Sequence, residues 1–205
     1  YNLDNEVEFV ETLTLPSHYA WPRPASYDET ELKNALFALH LIGGISYYKT
    51  CLPPNIKIES GMLNQQQAAF WKTVYENGLG EFFYRNDINF LNLIDFPHTK
   101  VQKRRINEVR RSSAVREKTG RVLVPIGGGK DSIVSMELLK KSSEAVMLFR
   151  MGSHPSMPPI IEDLAYRAGL PILSVKRQID PELFELNKDG ALNGHVPITA
   201  YLSVL

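Results

Sequence analysis

The sequence predicts an α/β protein: an N-terminal α+β module followed by a parallel sheet with helices packed on it. Three observations carry this. Beyond residue 121, apolar runs alternate with helical patterns in the order strand, glycine turn, helix, strand, helix, strand, which is the order of a parallel sheet. Before residue 97, the texture is one long helical repeat, a second capped helix and loosely strand-like ends. Between the two lies a sharp change of charge. The chain has 205 residues, 43% of them hydrophobic and 22% charged, so a sizeable core can be buried and disorder is excluded as a class.

In chain order, Val7, Phe9, Thr12, Leu13 and Leu15 are loosely strand-like and stop at Pro16, and residues 18–24 form a Pro-containing loop. Tyr27-Asp28-Glu29-Thr30 opens a helix with acids in its first turn, where the helix dipole favours them. Leu32, Leu36, Leu39, Ile42 and Ile45 recur along it, Gly43-Gly44 falls late in the pattern, and Pro53-Pro54 sets a firm stop beyond it. Ile56-Lys57-Ile58 alternates as a short strand. Asn64 caps a second helix carrying Ala68, Trp71, Val74 and Tyr75 and ending at Gly78. Trp21 and Trp71 are expected in or at the rim of the core. In the second part, residues 122–126, 145–149 and 171–175 read as buried parallel strands. The helices between them cover residues 132–141, with Ile133, Met136 and Leu139 inward, and 159–168, with Pro at the start and Gly169 at the end. Three strands are fewer than open parallel sheets usually have, so further chain is expected to complete the sheet.

The expected organisation is therefore a module over 1–97, a basic connection over 98–120 and an incomplete sheet domain over 121–205. From Lys100 to Arg121 there are nine Lys or Arg and two acids, a local charge of +7 within a chain of net charge zero. That segment has three readings: a solvated helix with Val101, Ile106 and Val109 inward, a wall for nucleotide phosphates, or an RNA contact. The neutral balance argues against a nucleic-acid partner for the whole chain. No apolar run reaches the roughly 18 residues of a membrane span. The longest, over 35–45, is broken by His40 and two glycines. A single cysteine, Cys51, excludes an internal disulfide and a Cys-rich metal site, and reads as a small buried residue. A first residue of Tyr and no leader pattern suggest a cytoplasmic protein and a piece of a longer one.

The most informative residues are Gly127-Gly128-Gly129-Lys130-Asp131-Ser132, which join a buried strand to a helix. Glycines let backbone approach a ligand closely, and amides at a helix start face an anion. A Walker A loop fails, because its first glycine would fall on Val124 and Asp131 stands where Ser or Thr belongs. The dinucleotide pattern fails because its third glycine would fall on Ser132 or Asp131. What fits is Ser-Gly-Gly-x-Asp-Ser with Gly127 in place of the first serine. This resembles the PP-loop of enzymes that cleave ATP to AMP and pyrophosphate. The resemblance implies a domain like the adenine nucleotide alpha hydrolases. In it Gly127, Gly128, Gly129 and Ser132 hold phosphates, Asp131 helps hold Mg²⁺, and Lys130 adds a cation. The plain alternative is a tight turn whose glycines serve packing alone.

Further strings point the same way. They are Leu41-Ile42-Gly43-Gly44-Ile45-Ser46-Tyr47-Tyr48-Lys49, Gly78-Leu79-Gly80-Glu81-Phe82-Phe83-Tyr84-Arg85-Asn86, and Phe184-Glu185-Leu186-Asn187 leading into Gly190-Ala191-Leu192-Asn193-Gly194-His195-Val196-Pro197-Ile198-Thr199-Ala200. With the glycine loop they resemble the MurL family of bacterial UDP-N-acetyl-α-D-muramoyl-L-alanyl-L-glutamate epimerases over nearly the whole chain. Members continue past the Asn-Gly-His-Val-Pro string. The resemblance implies an isomerase of peptidoglycan synthesis. It would invert the terminal L-glutamate of a UDP-muramoyl dipeptide with ATP and Mg²⁺, releasing AMP and pyrophosphate. An α-proton beside an ionised carboxylate is very weakly acidic, and adenylation removes that charge, so ordinary acid–base groups can then act. His195 is the first candidate for such a group. His154, in Gly152-Ser153-His154-Pro155 past the second strand, is another, and Lys130 a third. Residues 149–152 are placed to pack beside adenine for the same topological reason. Arg85, Tyr48, Asn193 and Thr199 are candidates for binding substrate. The bland alternative for Arg85 is an i,i+4 pair with Glu81. Two rival functions stay open: another PP-loop enzyme adenylating a small acid or a tRNA base, and a nucleotide-binding module without turnover.

Overall fold

In the computed structural model of the chain the described residues are 1–3, 6–16, 29–99, 121–142, 145–154 and 156–205. The loop at 18–24, Trp21, the first residues of the expected helix start and the basic segment over 100–120 with Val101, Ile106 and Val109 lie outside them. The fold is mixed α/β and forms two compact units. The first gathers residues 1–10, 23–104 and 180–205, and the second gathers 11–22 and 105–179. Residues 180–205, which the sequence grouped with the glycine-loop body, thus cluster by contact with the first unit.

The first unit opens with a short hairpin, β1 (Asn2–Leu3) against β2 (Val7–Glu8). Helix α1 (Glu29–Tyr48) runs straight through Gly43 and Gly44. Gly44 is required by packing, since a Cβ there would lie 2.9 Å from the Tyr75 hydroxyl. Only the later half of α1 is buried. Leu41, Ile42, Ile45, Tyr47 and Tyr48 lie in the core, whereas Leu32 and Leu36 of the same apolar repeat are exposed. Phe9 and Tyr1 pack on Tyr47 with ring centroids 4.7 and 4.6 Å away. Helix α2 (Gln65–Gly78) starts at the expected cap. Asn64 accepts from the Gln67 amide, and the Gln67 side chain accepts from the Asn64 amide, a reciprocal capping box. It buries Ala68, Trp71 and Tyr75 and is followed by α3 (Gly80–Arg85), which buries Phe82 and Phe83. Two short helices, α6 (Glu182–Lys188) and α7 (Ile198–Val204), close the unit, and α7 packs on α1.

Two local expectations are corrected here. Ile56-Lys57-Ile58 is not a strand: Ile56 and Ile58 are half-buried and Lys57 is exposed, so the alternation is real, but the segment pairs with no strand. Cys51 is exposed rather than buried, because it sits in the turn that leaves the end of α1.

The second unit holds a four-stranded sheet in the order β3-β6-β5-β4. Strands β4 (Arg121–Pro125), β5 (Ala145–Gly152) and β6 (Ile172–Gln178) are parallel, as the alternation of apolar runs requires. Strand β3 (Thr12–Thr14) adds antiparallel to β6 and makes the sheet mixed. Arg177 on β6 forms a bidentate pair with Glu11 at 2.9 and 2.8 Å, with both side chains 6% exposed. Helix α4 (Lys130–Ser142) follows β4, and α5 (Pro159–Ala168) follows β5 and ends on Gly169 at φ 65°. Both pack on one face of the sheet, over Val124, Ile126, Val146 and Leu148, with Met136, Ile161 and Ala165. Among the described residues β4 pairs with β5 alone and forms the sheet's edge. No helix of the described residues is long and apolar enough to cross a membrane.

Candidate functional site

The glycine turn stands at the carboxyl end of β4, in the second unit. Gly128 has φ 82°, which a side-chain-bearing residue adopts only under strain. The other two glycines are not explained that way. A Cβ on Gly127 or Gly129 would meet nothing within 4 Å, so packing demands glycine at neither. What their lack of side chains leaves is open access to backbone amides at the start of α4. The reading of the turn as a packing device thus accounts for one glycine of three. Lys130 and Asp131 are exposed in the first turn of α4. The Ser132 hydroxyl donates to Gly129 O at 2.8 Å, which ties the turn to the helix and commits its proton to backbone in this state. His154 is exposed past the carboxyl end of β5, and its Nδ1 accepts from the Ser156 amide at 3.2 Å and lies 2.6 Å from the Ser156 hydroxyl.

The second gathering of motif residues lies in the first unit, where the three other strings converge. Lys49, at the end of the α1 string, is buried. Its ammonium donates to Asn193 Oδ1 at 2.7 Å and to Gly194 O at 3.1 Å. Burial holds its pKa below the ordinary lysine value. From the α3 string, the Asn86 amide donates to Phe82 O at 2.8 Å and to Asn193 O at 3.3 Å. The Leu192 amide donates to Thr50 O at 3.2 Å. Gly194 packs against Phe82, and Gly78 packs against Pro197. The Asn193–Pro197 turn is thereby clamped from α1, α2 and α3, and it presents His195 exposed.

The expected substrate residues fall differently. Asn193 is central to this clamp, and Thr199 is exposed on the first turn of α7. Arg85 is exposed and paired with Glu81 at 2.9 Å, the i,i+4 arrangement. Tyr48 is buried, its hydroxyl 3.5 Å from Leu93 O, and burial pushes its pKa up to about 12. Lys49 stands out in the sequence as a polar group closing the α1 string, but it was not among the residues expected to bind substrate. A cavity of about 660 Å³ in the same unit, with Tyr1, His40, Tyr47, Tyr48, Tyr75 and Phe96 in its wall, had no sequence signal at all. Two of its tyrosine hydroxyls are turned to backbone, Tyr75 donating to Leu41 O at 2.6 Å and Tyr1 to His40 O at 2.8 Å. Among the described residues no group of three or more His, Cys, Asp or Glu gathers to hold a metal ion. Asp131 alone therefore stands where the sequence placed one.

The family model of the MurL N-terminal domain matches residues 1–205. A UDP-N-acetyl-alpha-D-muramoyl-L-alanyl-L-glutamate epimerase from Xanthomonas oryzae pv. oryzae is 38% identical over 208 residues, covering 100% of this chain and 43% of that protein. Proteins of the same name from Salinispora tropica and a Micromonospora species are 36% and 35% identical, covering 98% of this chain and 41% and 42% of their own lengths. The chain thus spans about two-fifths of the length of the curated relatives it matches. No solved structure matches it.

Proposed function

The chain belongs to the MurL N-terminal domain family, and on that premise we propose that it is part of an ATP-dependent epimerase of peptidoglycan synthesis. The reaction inverts the terminal L-glutamate of UDP-N-acetylmuramoyl-L-alanyl-L-glutamate to D-glutamate. The observation that carries this reading is the match of the chain, end to end, to three proteins bearing that name. The proposed compartment is the cytoplasm, where a nucleotide-linked precursor is soluble.

The chemistry answers one difficulty. Removing a proton α to a carboxylate puts a second negative charge beside the first. Capping the acid with adenylate removes the first charge and makes the carbonyl electron-withdrawing, so a base on one face and an acid on the other suffice. Hydrolysis of the mixed anhydride then frees the inverted acid. In this scheme the turn in the second unit is the PP-loop and receives the phosphates. The amides around Gly127 and Gly129 are unobstructed, and Ser132 reaches a phosphate by turning its hydroxyl from Gly129 O. Asp131 holds Mg²⁺, which when bound neutralises phosphate charge, and Lys130 supplies a mobile cation. A nucleotide crevice at the carboxyl end of a parallel sheet lies where strand order reverses. Strand β4 is at an edge, so the reversal requires a further strand on its open side. The relatives have the length to supply it.

His195 is the proposed acid–base group in the first unit. Its exposure on a clamped turn suits a group that must meet a substrate, and Asn193 and Thr199 flank it for substrate contact. Arg85 and Tyr48 are weaker candidates for that contact, since Arg85 is already paired and Tyr48 is buried.

The test is incubation of the full-length protein with ATP, Mg²⁺ and the UDP-muramoyl dipeptide in deuterated water. Deuterium at the glutamate α-carbon, with substrate-dependent AMP, is expected. AMP without deuterium would instead indicate another adenylating enzyme of the same loop class, and neither signal a module without turnover. Asp131→Ala should abolish AMP release without lowering the melting temperature, because the side chain is exposed. Undiminished AMP release would remove the loop from the scheme.

A further inference from the structure

Arg150 is a buried cation without a described carboxylate. It lies on β5 and is 8% exposed. Among the described residues its guanidinium makes one hydrogen bond, Nη1 donating to Ser156 O at 3.2 Å. Arg177, equally buried on β6, is instead bidentate with Glu11. A guanidinium carries five N–H donors and stays charged at any working pH. Among the described residues the enclosed side-chain polar atom without a partner is Asn187 Oδ1, so the remaining N–H groups of Arg150 reach solvent and are open to an anion.

The position of Arg150 suggests what those open N–H groups can meet. Alternation along β5 places it on the face of Val146 and Leu148, beneath α4 and α5. It is one residue past Phe149, which is opposite Pro125, so it stands at the carboxyl end of β5 beside the start of the glycine turn. Guanidinium and turn both lie near the start of α5. Arg150 is bonded to Ser156, and a Cβ on Gly128 would lie 3.5 Å from Ile160. Gly152 is what makes room for the side chain, since a Cβ there would collide with the guanidinium.

We propose that Arg150 is the fixed cation of a phosphate site completed by the backbone amides of Gly127–Gly129, and that its ligand is the phosphate chain of a nucleoside di- or triphosphate. This deepens the proposed function and rests on its reading of the turn. The planar fork of arginine binds phosphate oxygens two at a time, whereas Lys130 is exposed and offers only a point charge. Because the side chain is largely buried and held by Ser156, binding does not have to order it. Two ligands carry the chemistry, ATP and the UDP end of the substrate, and they can be told apart.

The experiment titrates full-length wild type, Arg150→Met and Arg150→Lys with inorganic pyrophosphate, ATP and UDP by calorimetry, and records melting with and without each. Loss of the charge-assisted bonds should weaken pyrophosphate binding roughly 10- to 100-fold in Arg150→Met. The ligand-free Met variant should melt within a few degrees of wild type, because one hydrogen bond to a neutral carbonyl is exchanged for an apolar chain. A parallel loss for ATP alone assigns the site to ATP, and for UDP alone to the substrate's diphosphate. A Met variant that melts lower while keeping its affinity would make Arg150 a structural residue and overturn the proposal, as would a wild type that binds none of the three. If Arg150→Met does not fold, Arg150→Lys decides: affinity equal to wild type refutes the fork. Failure of the epimerase reading is separate, appearing as Arg150-dependent phosphate binding without α-deuterium.

Discussion

Gly78→Ala and Gly80→Ala, two residues apart, should change stability in opposite directions. Gly78 is the last residue of α2, and a Cβ there would lie 2.6 Å from Pro197 Cγ, 3.0 Å from its Cβ and 3.4 Å from its Cδ. Carbon pairs prefer about 3.5–4.0 Å, so the overlap approaches 1 Å. The proline ring has no rotamer by which to retreat, and over-packing of this kind costs roughly 1–3 kcal/mol. Alanine gains at most about 1 kcal/mol over glycine within a helix, and less in the last turn. The clash therefore wins, by about 1–2 kcal/mol. For a chain of this size that lowers the melting temperature by roughly 2–8 °C. At Gly80 the same methyl meets nothing within 4 Å, so only the helix gain remains and stability should hold or rise by up to about 1 kcal/mol. Thermal melts monitored by circular dichroism, with urea midpoints at unchanged slope, measure both. Gly78→Ala as stable as Gly80→Ala would refute the packing of Pro197 on α2, and with it the clamp on the His195 turn.

Glu11→Ala removes the carboxylate from the buried Arg177 guanidinium, and should cost up to about 3–5 kcal/mol in urea unfolding. A loss below about 1 kcal/mol would mean that the pair is solvated. The pH dependence of stability should carry the mark of Lys49. Its pKa is lowered by burial, so between that value and the ordinary 10.5 the unfolded chain binds more protons than the folded one, and stability rises with pH. Lys49→Met should remove this contribution, seen as a flatter slope of unfolding free energy on the alkaline side up to about pH 10; an unchanged slope would contradict it. Above the ordinary tyrosine value of 10.0 the sign reverses. Tyr48, pushed up to about 12, keeps its proton in the folded state, and its contribution is lost as pH rises through that value.

The parallel part of the fold was legible because each of its signals is local. A buried strand writes itself as an apolar run, and the caps at Asn64 and Gly169 write themselves as single residues. The strand character of Thr12 and Leu13 was legible, but the place of β3 in the sheet was not. The strand is three residues long, and its partner β6 lies far along the chain, so nothing within its own window fixes the pairing. Ile56 to Ile58 failed in the opposite way, since alternation reports burial of one side and not the presence of a neighbouring strand. The glycine turn was found from its spacing, but Arg150 was not. It comes one residue after the apolar run that marked β5, where the sequence looked like a strand end rather than a strand continuing to Gly152. The burial of Lys49 escaped for a related reason: a lysine at a helix end usually reaches solvent, and its burial depends on acceptors 144 residues away.

The glycines of the two units serve different ends, and the difference bears on where ligand contact is to be sought. At three glycines of the first unit the place where a Cβ would sit is occupied: by the Tyr75 hydroxyl at Gly44, by Pro197 at Gly78 and by Phe82 at Gly194, each within 3.0 Å. These glycines are there so that neighbouring elements can touch, and their positions inside motif strings need no ligand to explain them. At Gly127 and Gly129 the same space is empty. Side chains there would cost the folded chain nothing in packing. What they would obstruct is the approach of a ligand to the backbone amides, which is the contact proposed for this turn.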